Sequence, residues 1–309
     1  MTQASAQHRA HFDFSISFAN GGGMSGEGFR LDLPRPDLSA EEIGVLLVRH
    51  LGLALVRDVD LRGLRIVEET HRGSRGADAA APGVDRVIDL SHPIEAGMIT
   101  YPGLPAPAIT PHLTREDSRE KYAPGTEFAM DIITMIGNTG TYLDAPYHRY
   151  ADGGDLASLD LNTLVGIPAE VFHLRDSWSA DRRGIEAVTL ADRELAGSAV
   201  LLDTGWSSRF GTPEYAAGAP FLTEGGARFL VDVGVRIVGI DSLNIDDTES
   251  GGARPAHSIL LAAGVHVVEH LTNLDTVPAH GARFTAAPPA VRGFGTFPVR
   301  AFATTSESH

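Results

Sequence analysis

The chain has 309 residues, 43% of them hydrophobic and 21% charged, which is the balance of a folded globular protein with room for one large domain or two smaller ones. A formal net charge of −15 repels phosphate backbones and anionic lipid, which argues against nucleic-acid and membrane partners. There is no cysteine, so disulfides, thiolate catalysis and Cys-based zinc or iron–sulfur centres are excluded, and any metal must be held by His, carboxylate, amide or water.

The start, "MTQASAQHRAHFDF", has no apolar run behind a basic segment, and no stretch reaches the roughly 18 to 20 apolar residues of a membrane span, so a cytoplasmic location is expected. Phe12, Phe14, Ile16 and Phe18 alternate with polar or small residues, the period of a half-buried strand. "NGGGMSGEG" (20–28) reads as a flexible turn, with no phosphate-loop pattern because no Lys-Ser/Thr follows. "FRLDLP" reads as a second strand. Ser39 and Glu42 have capping-box spacing and predict a helix whose apolar face is Ile43, Leu46 and Leu47, with Gly52 to end it. "LRGLRIVEE" reads as a last strand or two of a small α+β module over 1–72, a size that is marginal alone. A linker rich in Gly, Ala and charge follows over 73–85, then a mixed α/β domain over 86–304 and a tail over 305–309.

In the larger domain short apolar runs predict buried strands over 86–90, 131–136, 170–174, 199–203, 236–240, 265–269 and 298–303. Thr223 can cap a helix bearing Ala227, Leu230 and Val231 on one face, and a short helix should run from Pro255 to Gly264 with His257 in its first turn. Polar residues gather at the strand ends, where a rigid scaffold presents chemistry. "NTGTYLDAPYHRY" (138–150) concentrates an amide, a phenol, a carboxylate, an imidazole and a guanidinium around Gly140 and Pro146. Asp144 and His148 are four apart with a proline between them, so a tight turn rather than a regular helix would aim both at one cavity. An Asp-Ala-Pro by itself is more often a structural turn. Further on stand Asp241, Asp246 and Asp247, then His257 and Glu269.

Taken together these stretches resemble the cyclase family of metal-dependent hydrolases, which includes bacterial kynurenine formamidase and isatin hydrolase. "DLSHPIEAGMITYPG" (89–103) is similar to its opening motif, 140–148 to its signature H-x-G-T-H-x-D-x-P-x-H, "VGIDSLNIDD" to a later Gly-Ile-Asp motif, "AHSILLAAGVHVVEHLTNLDTVP" to its last site segment and "FPVRAFA" to its closing strand. The resemblance covers about 85–304 and leaves out the N-terminal module. It implies a mixed-sheet α/β fold of the swivelling β/β/α type and a homo-oligomer, most simply a dimer. Asp144, Pro146 and His148 match the signature, but Asn138 and Tyr142 stand where it has its two metal-binding histidines. His257 and Glu269 match at the twelve-residue spacing. The resemblance therefore implies that Asp144, His257 and Glu269 are the remaining ligands for a divalent Mn, Zn or Mg ion, and that His148 is the proton shuttle. Tyr142 and Asn138 would position the substrate carbonyl.

The expected activity is hydrolysis of an amide, lactam or ester bond in a small carbonyl substrate. A metal-independent cyclase or lyase acting on a polyketide-like ligand, and a non-catalytic binding protein on a degenerate site, are the competing readings. Trp206 could line the pocket or sit in the core, and His92 could line the site or make a strand-end hydrogen bond. Glu269 could pair with Arg254 or Arg236. His266, His270 and His280 lack matching positions and read as surface or packing residues, and Asp246 and Asp247 as loop-capping or solvated carboxylates.

Overall fold

The computed structural model describes residues 7–51, 53, 55–69 and 85–306. The chain divides into two compact units, Met1–Ala80 and Ala81–His309. The predicted linker, apart from Asp85, lies outside the described residues, and so does Gly52, the expected helix stop. Among the described residues no helix is long and apolar enough to cross a membrane.

In the smaller unit the strand Gln7–Phe18 is central, antiparallel to Gly23–Leu33 on one side and Val56–Glu69 on the other. Its period-two pattern turns Phe12, Phe14 and Ile16 onto Ile43 and Leu47 of the helix Ala40–His50. The capping box is present: Glu42 N donates to Ser39 Oγ at 3.2 Å and Ser39 N donates to the Glu42 carboxylate at 2.8 Å. The glycine-rich turn expected over 20–28 is shorter than that, because Gly23 already pairs with Ser17. At Gly26 the Phe14 ring fills the space a Cβ would need, so that glycine serves packing within the ladder rather than flexibility.

The larger unit is built on a nine-stranded mixed sheet. Its order is Thr296–Pro298, Tyr142–Asp144, His266–Glu269, Ile237–Ile240, Ala199–Asp203, Ile167–His173, Ala282–Thr285, Phe302–Ser306 and Asp85–Asp89. The four strands from His266–Glu269 to Ile167–His173 are parallel and the flanking pairs antiparallel. Alternation along the central strands feeds two cores. Val200, Leu202, Val238 and Ile240 face the helices Glu224–Asp232 and Pro255–Ala262, while Leu201, Ile237 and Val268 face the opposite side. Burying one such side chain fully contributes roughly 1.5 to 3 kcal/mol. Thr223 caps the first of these helices as predicted, its side chain accepting from Gly226 N.

Two expected strands differ. The run over 298–303 is split: Thr296–Pro298 lies at one edge of the sheet, and Phe302–Ser306 pairs with Asp85–Asp89 at the other, so Thr305 and Ser306, expected in the tail, are ladder residues. Pro298 and Phe302 are joined by a chain that can span at most roughly 14 Å. A flat sheet would separate their strands by roughly 34 Å. The sheet must therefore curl until its ends approach. The run over 131–136 is not a buried strand. Among the described residues Met130–Thr134 pairs only with Ala108–Leu113, and Ile132 and Ile133 are each 48% exposed.

Candidate active site

The signature stretch folds as a short buried strand, Tyr142–Asp144, followed by one 3-10 turn over Pro146–His148. Pro146 ends the ladder because it has no N–H to give, and His148 N donates to Ala145 O at 2.8 Å. Behind the turn, Ala145 N donates to Gly295 O at 2.7 Å. The backbone of Tyr147 and His148 occupies the place where a Cβ on Gly295 would stand, and Gly137 approaches the Thr296 carbonyl in the same way.

Asp144 is wholly buried and joins two groups of residues. On its Oδ1 side Thr296 Oγ1 donates at 2.5 Å and also lies 2.7 Å from His148 Nδ1, while His148 Nε2 stands 3.8 Å from Oδ1. On its Oδ2 side His257 Nε2 approaches to 3.4 Å and also stands 3.5 Å from Glu269 Oε1. Oδ2 itself is buried without a hydrogen-bond partner. His257 Nδ1 is held by Asp246 Oδ2 at 2.7 Å, and Asp246 also accepts from Ala256 N and His257 N, closing the helix N-terminus. Donor atoms of Asp144, His148 and His257 lie within 4.8 Å of one another.

Glu269 accepts from Ile245 N at 2.7 Å and from the Tyr142 hydroxyl at 2.6 Å. His270 Nε2 stands 3.3 Å from that hydroxyl, and Tyr215 OH meets His270 Nδ1 at 2.8 Å. The backbone at His270 is left-handed, φ 56°, which turns the imidazole off the strand end and against the two phenols. Tyr142, His148, His257, Glu269 and Asn138 line one cavity of about 610 Å³.

Electrostatics follows from burial and from the crowd of carboxylates. Burial alone would raise the Asp144 pKa, but the close approach of the His257 imidazole, the His148 and His257 charges and the Thr296 hydroxyl together hold it below its ordinary value. Burial also opposes a charged His257, yet Glu269, Asp144 and Asp246 raise it to about 10. Glu269 is raised to about 7, by burial first and then by the Asp144 charge. Burial and the same two carboxylates push Tyr142 well above 10, so its hydroxyl is a neutral donor.

Other candidates lie elsewhere. His92 is half-buried and stacks on Phe210 with ring centroids 3.7 Å apart, and burial lowers its pKa to about 4. It does not line the cavity. Neither does Trp206, which is buried among Tyr215, Ala219 and Leu243 with Nε1 donating to Tyr215 O. Glu269 pairs with neither Arg254 nor Arg236 but with His257. Of the two readings of Asp246, capping holds, at the N-terminus of the helix Pro255–Ala262, and solvation does not, while His270 does more than pack. Neither of those two residues was assigned to the candidate site from the sequence, and Thr296 was not singled out, although Asp246 lies within the stretch that holds the Gly-Ile-Asp motif and His270 directly follows Glu269.

A second acidic pair sits where two parallel strands end. Asp203 binds His173 and Arg175, and Asp241 Oδ1 accepts from Thr204 N and Oγ1 while Oδ2 is buried without a partner. Burial raises Asp241 to about 6, above its ordinary 3.8. A raised folded value means that the neutral acid stabilises the fold at low pH, and that this contribution is lost as pH climbs from about 4 through about 6. Asp241→Asn should therefore gain stability relative to the parent as pH rises, by roughly 3 kcal/mol at pH 7. Urea melts at pH 4 and pH 7 would show it. A constant offset between the two proteins would contradict it.

The family whose model matches this sequence is the cyclase family ("Putative cyclase"), over residues 88–247. Among curated proteins, the kynurenine formamidase of Geobacillus thermodenitrificans is 32% identical over 215 residues, 69% of this chain and 95% of the relative. The Bacillus cereus kynurenine formamidase is 31% identical over 214 residues, again 69% and 95%. Among solved structures, isatin hydrolase A from Labrenzia aggregata has TM-score 0.63 and 25% identity, covering 72% of this chain and 94% of its own. A "potential metal-dependent hydrolase with cyclase activity" has TM-score 0.59 and 30% identity, covering 72% and 100%.

Proposed function

The chain belongs to the cyclase family and is a hydrolase of it, and on that footing we propose that it opens the amide bond of a small aryl formamide or lactam with one divalent cation. The observation that carries this reading is the meeting of the donor atoms of Asp144, His148 and His257, with the two imidazoles on one cavity wall and the buried carboxylate behind them. The donor set fits a cation. A buried carboxylate oxygen of Asp144 has no hydrogen bond, and His257 points Nε2 toward it while Asp246 fixes Nδ1, the usual way a carboxylate orients a ligating imidazole. Asp144, Asp246 and Glu269 surround a single buried imidazole, an excess of negative charge that a divalent ion would neutralise. Asp144, His257 and Glu269 would hold Mn, Zn or Mg. When bound, the ion would polarise the scissile carbonyl and make a neighbouring water more acidic.

The two oxygens of Asp144 support a division of labour. The one hydroxyl proton of Thr296 goes to Oδ1, so Thr296 can only accept from His148 Nδ1–H. That fixes the tautomer of neutral His148 and leaves its Nε2 with a lone pair. His148 takes a proton from the attacking water there and returns it to the departing amine nitrogen, while Asp144 stabilises the transient imidazolium. Tyr142, neutral and donating to Glu269, holds that carboxylate in place. Asn138 on the cavity wall is left to orient the substrate carbonyl.

Elemental analysis of the purified protein should find about one divalent ion per chain or less, because an amide and a phenol replace the two signature histidines. Formanilide-type amides or isatin should be turned over, and chelation should abolish the activity. Two tightly held ions per chain, or turnover indifferent to chelation, would overturn the reading.

A further inference from the structure

Behind the ligand Glu269 stand two buried residues that the reaction above does not use, His270 and Tyr215. Neither lines the cavity. Tyr215 is carried by the 3-10 turn Pro213–Ala216, where its carbonyl accepts from Trp206 Nε1 at 3.1 Å. The wholly buried His270 ring packs on the Tyr142 and Tyr215 rings, with centroids 5.1 and 5.7 Å away. Its Nδ1 is 2.8 Å from the Tyr215 hydroxyl and its Nε2 is 3.3 Å from the Tyr142 hydroxyl.

The direction of each bond follows from the protons available. Tyr142 has one hydroxyl proton, and the Glu269 carboxylate takes it at 2.6 Å, because a charge-assisted bond is shorter and stronger than a neutral one. The Tyr142 oxygen can then only accept from His270, so Nε2 carries a proton. Among the described residues the Tyr215 hydroxyl bonds nothing but His270 Nδ1, and a buried hydroxyl proton without an acceptor is costly. Nδ1 therefore accepts, and His270 is the neutral Nε2–H tautomer. The chain of donors runs one way, from Tyr215 through His270 and Tyr142 to Glu269 Oε2.

We propose that Tyr215 and His270 are positioning residues, which lock the Tyr142 proton on Glu269 and so hold that carboxylate for the cation. The inference rests on the cation reading above and adds the residues that act through the ligand. A phenol at position 142, where the signature has an imidazole, can turn its proton to any acceptor nearby. By donating to Nδ1, Tyr215 disfavours the other His270 tautomer, whose bare Nε2 would draw the Tyr142 proton off Glu269. By donating to the phenol oxygen, His270 strengthens the phenol's own donation. Ile245 N holds the other carboxylate oxygen at 2.7 Å, so both ends of Glu269 are fixed.

The test measures Mn(II) affinity of the full chain by competition with a chromogenic chelator. Tyr215→Phe and His270→Leu should each weaken binding by about tenfold, the lower end of what the outer partners of metal ligands contribute. His270→Gln should stay within about threefold of the parent, because its carbonyl can accept from Tyr215 while its amide donates to Tyr142. In a Tyr142→Phe protein, Tyr215→Phe should have no further effect. Parental affinity in Tyr215→Phe overturns the inference, and so does a Tyr215→Phe effect that persists undiminished without the Tyr142 hydroxyl. Tyr215→Phe removes a single oxygen and stays readable if His270→Leu misfolds. Should the parent bind no Mn(II), the cation reading fails, and nitrogen NMR on metal-free, histidine-labelled protein decides the chain separately. The Nε2–H tautomer at His270 in the parent, moving toward Nδ1–H in Tyr215→Phe, supports it. An Nδ1–H tautomer in the parent, or one that Tyr215→Phe leaves unmoved, refutes it.

Discussion

His148→Ala is expected to lower kcat for any amide the protein hydrolyses by about 10²- to 10⁴-fold, the usual worth of a positioned general acid–base. The fold should survive, because the side chain is 36% exposed and its polar contacts are confined to Thr296 and Asp144. His148→Asn should behave nearly the same, since an amide can still bond Thr296 but cannot carry a proton between water and amine. In both variants the pH–rate profile should lose one limb while KM changes little. Stopped-time assays with circular dichroism on the same samples would check this. Wild-type kcat in His148→Ala would make the imidazole a structural part of the turn and leave proton transfer to another group.

A larger effect is expected at Asp144, because that carboxylate serves both sides of the site. Asp144→Asn should reduce divalent-ion occupancy and lower kcat/KM by at least about 100-fold. The substitution removes the negative charge that faces His257 and turns one carboxylate oxygen into a donor. The folded pKa of Asp144 lies below its ordinary value, so its ionised form stabilises the native state above about pH 4 and that contribution fades as pH falls through the folded value. The asparagine variant should therefore also melt earlier at pH 7, with the deficit shrinking under acid. Full occupancy with parental turnover in Asp144→Asn would remove Asp144 from the cation site and from the proposed mechanism.

What the sequence made legible was local. Ser39 with Glu42, and Thr223 before its helix, are capping patterns complete within four residues, and both helices begin where those patterns put them. "AVLLD" is a buried run, and Ala199–Asp203 lies at the centre of the sheet. The failures were non-local. "FPVRAFA" reads as one strand because its apolar residues are contiguous, yet Val299 N donates to Thr141 O while Ala301 N donates to Ser91 Oγ, two different ends of the sheet. "DIITMI" has the composition of a core strand, but nothing in it reveals that it pairs with Ala108–Leu113 in a ladder apart from the main sheet. The same division holds in the site. Asp144, His148, His257 and Glu269 stand out by motif and spacing. Thr296 reaches Asp144 across 152 residues, and His270 reaches the Tyr215 hydroxyl across 55. Pairings of that kind exist only after the chain has closed on itself.

Gly295 carries no reactive group, yet the strand holding it presses directly on the backbone of His148. Every missense change of a glycine codon adds at least a β-carbon. In a library covering all single substitutions, position 295 should thus be as intolerant as position 148, even to alanine. A clinician or breeder reading such a variant by chemical similarity alone would class Gly295→Ala as mild. Its phenotype should instead be that of a lost catalyst, inherited through a residue that does not line the cavity.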